Sequence, residues 1–304
     1  TDWYINQLRN TYYDSGAFRL TLDEDDYRQY GPNDVLYVQE TVKGAIDFGQ
    51  YLKLLKEEHP ALRAVATTGD SYHILPSRTI RIAAPRAPGT GEEMVLHLDG
   101  NYMQKNLLAI LDLAISNNWQ RPIYFNFTSL NSIDADISRF VIQEGPVFRL
   151  RPQLQAGELI AFDTSLAYRN LILQADYSNL TNPSVFFSYE DHFARMIVPV
   201  RQGFNDLANA FIREGNATMA LQVMKHAMRS LYLPHLPPSY TNIDAAEIML
   251  ALGQKDFAMS LSESVFTYYS DRIARGRKEK RTPSNLDLYL HRRSGEANGR
   301  SDRQ

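Results

Sequence analysis

The apolar residues of this chain keep two different periods, and the change between them near residue 200 restricts the fold more than any single motif. Before the change, the period-two run Arg78-Thr79-Ile80-Arg81-Ile82-Ala83 and the strand-like Met94-Val95-Leu96-His97-Leu98 are interleaved with helical patterns. After it, only the helical period remains, in Phe204–Arg213, Met219–Leu231, Tyr240–Ala251 and Phe257–Tyr269. Alternation sends successive side chains to opposite faces of a strand, whereas residues three and four apart share one helix face. Residues 1–200 therefore predict a mixed α/β domain, with a partly parallel sheet and flanking helices, and residues 201–272 an all-α region.

Within the α/β region, residues 3 to 13 predict a short helix that Asp14-Ser15-Gly16 breaks. Asp34–Gln39 predicts a strand, and Val42–Glu58 a helix with Ile46, Tyr51, Leu52, Leu54 and Leu55 on its apolar face and Pro60 as its stop. The strands over 78–83 and 94–98 are expected to pair as neighbours, and Asp99-Gly100 to turn into a helix over Tyr102–Asn117 that is buried on more than one side. Arg121–Phe127 follows as a strand, and a helix returning straight into a strand predicts a parallel crossover. Gly145–Leu150 predicts one more strand, and residues 151–200 carry no readable pattern.

The helical region repeats itself. Gly215-Asn216-Ala217-Thr218-Met219-Ala220 and Gly253-Gln254-Lys255-Asp256-Phe257-Ala258 both place an alanine five residues after a glycine. A glycine supplies a left-handed turn between helices, and a small residue lets two helices approach closely. The pattern predicts two tetratricopeptide-like helical hairpins, too few to stand as an independent solenoid.

Charge divides the chain as well. The net charge is −3, yet residues 272–304 hold ten Lys/Arg against four Asp/Glu, a balance of +6, so the preceding residues carry −9. The body is acidic and the stretch 273–304 reads as a basic, partly disordered tail. An acidic body argues against nucleic acid as a partner, because phosphate binding needs a basic face. With no cysteine there is no disulfide framework, thiolate metal site or cysteine nucleophile. No apolar run is long enough to span a bilayer: Leu107–Ile115 is interrupted by Asp112. The start at Thr1-Asp2-Trp3-Tyr4-Ile5 reads like the interior of a folded chain, and is expected to be a cut made in a longer one.

No motif spells out an active site. Asp23-Glu24-Asp25-Asp26 lacks the alternation and glycine turn of a calcium loop and reads as a solvated helix start. The histidines at 59, 73, 97, 192, 226, 235 and 291 form no metal-binding pair on a helix face. Asp70-Ser71-Tyr72-His73 predicts local turn hydrogen bonds rather than a nucleophilic triad. Gly89-Thr90-Gly91 lacks the third glycine and the lysine of a phosphate loop, so no cofactor is expected. A hydrolase built on Asp99 or Asp134 would need the two acids together in a pocket. Asn118-Trp119-Gln120-Arg121-Pro122 allows two readings: Trp119 and Arg121 face a ligand such as a sugar, or Trp119 caps the core helix while Arg121 pairs with an acid. The ligand-binding candidates are Trp3, Tyr102, Asn118, Trp119 and Arg121.

Several segments taken together carry a resemblance: Thr1–Ile5, Leu75-Pro76-Ser77-Arg78, Asn101–Asn106, Asn117–Phe125, Gln143-Glu144-Gly145 and Phe148–Pro152. The set resembles the C-terminal soluble part of a Gram-negative bacterial family of multi-pass membrane proteins of unknown function, related to protein O-mannosyltransferases of the GT-C type. The resemblance implies a non-catalytic domain on the periplasmic side of the inner membrane, tethered to a membrane-embedded N-terminal part of the same protein. In such enzymes the catalytic acid lies in a loop between early membrane helices, which these residues do not contain. The implied role is to help hold an acceptor protein or glycan. The competing expectation is a protein-interaction scaffold that uses the helical hairpins and has no glycan role.

Overall fold

A computed structural model describes residues 19–28, 35–67, 69–84, 93–130, 133, 135–152, 160–279 and 282–297. Its contacts gather the chain into two compact units, one of residues 1–142 and 147–161, the other of residues 143–146 and 162–304. The expected helix over 3–13 and the Gly89-Thr90-Gly91 loop lie outside the described residues.

The first unit is mixed α/β. After a short helix α1 (Glu24–Arg28), β1 (Val35–Val38), β3 (Arg63–Val65), β4 (Ser71–Leu75) and β7 (Tyr102–Gln104) form a sheet ordered β3-β4-β1-β7. In it β1 runs parallel to β4 and antiparallel to β7. A second sheet, β2-β5-β6, joins β2 (Ile46–Asp47) in parallel to β5 (Thr79–Ala83), which pairs antiparallel with β6 (Glu93–His97) as expected. Alternation explains that hairpin: Ile80, Ile82, Met94 and Leu96 are fully buried, while Arg81 reaches out to Glu93 at 3.5 Å. The helix expected from Val42 is α2 (Phe48–Lys56), because Asp47 accepts a hydrogen bond from Gln50 N at 2.9 Å and caps it. Ile46, assigned to the helical face by periodicity, lies in β2 instead. Phe48, Tyr51, Leu52 and Leu55 make the buried stripe of α2.

The central helix α3 (Lys105–Asn117) starts three residues later than expected, since Tyr102, Met103 and Gln104 pair with Tyr37, Leu36 and Val35. Leu107, Leu108, Leu111 and Ala114 are almost wholly buried, and so is Asp112. The Asp112 carboxylate accepts hydrogen bonds from Thr21 N at 2.8 Å, Leu22 N at 3.0 Å, the Tyr27 hydroxyl at 3.1 Å and the Ser116 hydroxyl at 2.9 Å. The acid that interrupts the apolar run thus ties residues 21–27 to the core helix. The strand after the helix, β8 (Tyr124–Asn126), is followed by α4 (Phe127–Leu130) and pairs antiparallel with β10 (Val147–Leu150), so the expected parallel crossover is not what forms. The parallel pairs are β1 with β4 and β2 with β5.

The chain passes through β9 (Val141–Gln143) and β11 (Ala161–Phe162) into the second unit. Residues 162–200, which carried no readable pattern, form α5 (Thr164–Tyr168), further short helical turns and the entry to α6. They belong to the helical unit, because Ala167 and Leu171 join its core with Phe204 and Leu207. Four helices then follow as two hairpins, α6 (Val198–Arg213) with α7 (Ala217–Ser230) and α8 (Tyr240–Ala251) with α9 (Lys255–Lys278). The turn glycines Gly215 and Gly253 both have φ of +76°, and the alanines five residues on, Ala220 and Ala258, are buried. Helix α9 continues into the stretch read as a tail, and α10 (Asn285–Ala297) packs against it there. Leu290 is the buried anchor of α10, and the Arg272 guanidinium meets Asp287 at 3.0 Å.

Arg201 sits at the centre of the helical unit with no solvent exposure. Its Nε and Nη2 donate to the Leu231 carbonyl at 3.1 and 2.6 Å, and its Nη1 donates to the Pro237 carbonyl at 2.9 Å and to Asn242 Oδ1 at 3.3 Å. Its guanidinium carbon lies 5.1 Å from the Phe193 ring centroid and 4.9 Å from that of Tyr232. Burial draws its pKa down to about 10, so the group stays charged at neutral pH. Arg201→Met leaves the Leu231 and Pro237 carbonyls without these donors and is expected to cost about 3 kcal/mol. Arg201→Lys, which cannot reproduce the fork, is expected to cost about 2 kcal/mol. Urea unfolding followed by helical circular dichroism measures both, and an unchanged midpoint for Arg201→Met would remove the cage from the account of stability.

Candidate functional site

The sequence candidates do not converge. Trp3 lies outside the described residues. Tyr102 precedes α3 and the segment Asn118–Arg121 follows it, so the 13 residues of that helix hold them about 20 Å apart. Asn118 and Trp119 both take positive φ, 47° and 58°, which ends α3 in a left-handed turn. The Asn117 side chain spans the turn, donating to the Arg121 carbonyl at 2.5 Å and accepting from Arg121 N at 3.1 Å. Trp119 packs against the core, and its indole N–H donates to the Ala83 carbonyl at 3.1 Å. The C-cap of α3 is Asn118, whose N–H donates to the Ile115 carbonyl, while the Trp119 side chain is engaged with β5. Arg121 is exposed and Asn118 half-buried beside it.

Tyr102 does have company. Across the antiparallel pair it stands opposite Tyr37, and across the parallel pair Tyr37 stands opposite Ile74, two residues from Tyr72. The period of two puts Tyr72, Tyr37, Tyr102 and Gln39 on one face of the β4-β1-β7 sheet, while Leu36 and Met103 are buried on the other. The Tyr37 and Tyr72 rings meet edge to face at 6.2 Å, and Tyr102 is 38 % exposed. Planar polar side chains flank the row. Gln39 Nε2 donates to the Tyr72 hydroxyl at 3.5 Å, Arg78 donates to Asn101 Oδ1, and Arg78 Nε lies 3.3 Å from Glu40. Periodicity alone missed Tyr37 and Tyr72, because nothing local says which strands become neighbours.

The remaining candidates resolve into structural roles or leave no site. Asp23 caps α1, accepting from Asp25 N and Asp26 N at 3.1 and 3.2 Å, as a solvated helix start should. His73 is buried in β4 rather than held in a turn, and burial, with the Arg63 charge beside it, lowers its pKa. Asp99 is exposed, and Asp134 lies outside the described residues. Among the described residues no three His, Asp, Glu or Cys side chains gather as a metal site. No helix among them is long and apolar enough to cross a membrane.

Residues 1–166 match the family model described as TMEM260-associated domain 2. The chain belongs to this family. No curated protein and no solved structure matches it. All three tyrosines of the row and their polar flank fall within the stretch matched to the TMEM260-associated domain, whereas α6 to α10 lie beyond it.

Beyond the match, a second group of ionisable residues bridges α6 and α8. Asp206 accepts hydrogen bonds from Gln143 Nε2 at 3.0 Å and Gln202 Nε2 at 2.9 Å, and burial raises its pKa despite them. Burial raises Asp244 further, to about 6, with the Glu247 and Asp206 charges adding to the shift and Arg293 opposing it. A carboxyl raised above its ordinary value of 3.8 holds its proton in the fold after the unfolded chain has lost it. Asp244 therefore withdraws stability as pH rises from about 4 to 6 and withdraws no more above that. Asp244→Asn is expected to raise the melting temperature at pH 7 and to flatten its fall between pH 4 and 6, measured by scanning calorimetry across that range. An unchanged pH profile would contradict the shift.

Proposed function

We propose that this chain is a non-catalytic accessory domain of a TMEM260-like membrane protein and that it holds an acceptor, a sugar chain, on the tyrosine face of the β4-β1-β7 sheet. Membership of the TMEM260-associated family supports the membrane-protein context. The resemblance noted in the sequence supports the rest of the setting: a domain on the periplasmic side, next to a membrane-embedded part of the same protein that carries the transferase chemistry. The observation that carries the recognition role is the row Tyr72–Tyr37–Tyr102 beside Gln39, Glu40, Arg78 and Asn101. Sugar rings present C–H bonds to aromatic faces and hydroxyls to planar amide, carboxylate and guanidinium groups, and this face offers both kinds of partner. Glu40 beside the row is engaged with Arg78 at 3.3 Å.

Binding of the purified chain to an array of bacterial glycans tests this reading. The wild type is expected to retain a neutral oligosaccharide without turning it over. Tyr37→Ala and Tyr102→Ala are each expected to weaken retention about tenfold, on the scale of 1–2 kcal/mol for a lost aromatic contact. Tyr102 is exposed enough that its variant should melt within about 2 °C of the wild type. Retention of a peptide but no glycan would replace the sugar with an acceptor protein, and turnover by the chain alone would end the accessory reading.

A further inference from the structure

The turn that enters β7 supplies one polar group to the tyrosine face, and its neighbours set which way that group points. Asn101 stands directly before Tyr102, the first residue of β7, and its carbonyl accepts from Val38 N at 2.8 Å, which fastens the turn to the end of β1. The Tyr102 ring lies back against this turn, its edge 3.8 Å from where a Cβ would stand on Gly100. The ring and the Asn101 side chain thus flank the same turn, and both residues are exposed. The turn lies past the carboxyl ends of the parallel strands β1 and β4, the usual position of a ligand site in such sheets.

Arg78 orients the Asn101 amide. A guanidinium can only donate, and its hydrogen bond goes to Asn101 Oδ1, so the amide oxygen faces Arg78 and the Nδ2 hydrogens are turned away from it. Among the described residues the Asn101 side chain makes no other hydrogen bond. Arg78 is itself held: its carbonyl accepts from Leu98 N at 3.0 Å, and its Nε lies 3.3 Å from the Glu40 carboxylate. Glu40 is carried past the end of β1 by its neighbours, since Gln39 N and Thr41 N donate to the Leu75 and Pro76 carbonyls at 2.9 and 3.1 Å. Glu40, Arg78 and Asn101 therefore come from three backbone-anchored segments and are in place before a ligand arrives, which lowers the cost of binding. Glu40 balances the Arg78 charge, and what the group leaves to a ligand is the amide donor of Asn101.

We propose that Asn101 determines the specificity of the tyrosine face: its Nδ2 donates to a hydroxyl or ring oxygen of an uncharged sugar stacked on Tyr102, and Arg78 is the positioning residue that turns the amide outward. This role rests on the sugar-binding reading above and adds to it the class of acceptor, a neutral oxygen rather than a carboxylate. A carboxylate-bearing sugar at this position would approach the Glu40 charge and be repelled.

The test uses the full chain on an array that carries uncharged hexose oligosaccharides and uronic-acid-bearing ones at equal density. Asn101→Asp is the decisive variant, because it keeps an oxygen for Arg78 and replaces the outward N–H donors with a second oxygen. The wild type is expected to retain the uncharged sugars in preference to the uronic-acid ones. Asn101→Asp should weaken retention of the uncharged sugars about tenfold while its melting temperature, followed by circular dichroism, stays within about 3 °C of the wild type. Arg78→Leu, which lets the amide rotate, should weaken retention about fivefold, and Arg78→Lys, which still donates to Asn101, should restore most of it. Retention is read well below each melting temperature, which separates lost binding from lost folding. The proposal is overturned if Asn101→Asp or Arg78→Leu retains the uncharged sugars as the wild type does, or if the uronic-acid sugars are preferred. Retention that falls in Tyr102→Ala but not in Asn101→Asp removes the Asn101 role alone, whereas a wild type that retains no sugar removes the sugar-binding reading with it.

Discussion

A buried guanidinium held by backbone carbonyls organises the helical unit. Arg201 enters the core on α6 and meets backbone carbonyls from the end of α7 and from the proline-rich connection, with aromatic rings nearby. Carbonyl dipoles and ring quadrupoles compensate the desolvated charge. Because the donors form a rigid fork, they hold Leu231 and Pro237 at a fixed distance from each other as well as from α6. The irregular connection inherits the rigidity of a helix. The α/β unit uses the same device with the sign reversed: the Asp112 carboxylate collects backbone and hydroxyl donors from residues 21–27.

Features whose causes are local were legible in the sequence. The β5–β6 hairpin could be read from alternation, the burial of α3 from its leucines, and the hairpin turns from the glycines at 215 and 253. Features set by pairing partners were not. Tyr102, Met103 and Gln104 have helical company in sequence, yet they form a strand because β1 offers an unpaired edge. The direction of β8 was misread for the same reason: a helix followed by a strand says nothing about which existing strand receives it. Residues 162–200 are irregular because their order comes from side chains such as Ala167 and Leu171 packing on α6, not from a repeating pattern.

The candidate site divides along the same line. Tyr102 was visible as an amphipathic aromatic, but its neighbours Tyr37 and Tyr72 become a row only through two pairings of opposite sense. Trp119 was visible for its chemistry, and its indole N–H is committed to the Ala83 carbonyl. The family match extends over the tyrosine row and stops at residue 166, ahead of the four hairpin helices.

The two hairpin glycines carry a consequence for chirality. A methyl group added at Gly215 or Gly253 would find nothing within 4 Å, so space does not exclude a side chain there. The obstacle is handedness alone: φ of +76° suits the mirror-image series and strains the natural one. A D-alanine introduced by chemical synthesis would adopt each turn as its preferred conformation and narrow the freedom of the unfolded chain. Both turns therefore have a backbone conformation that the mirror-image series prefers and in which L-alanine would be strained.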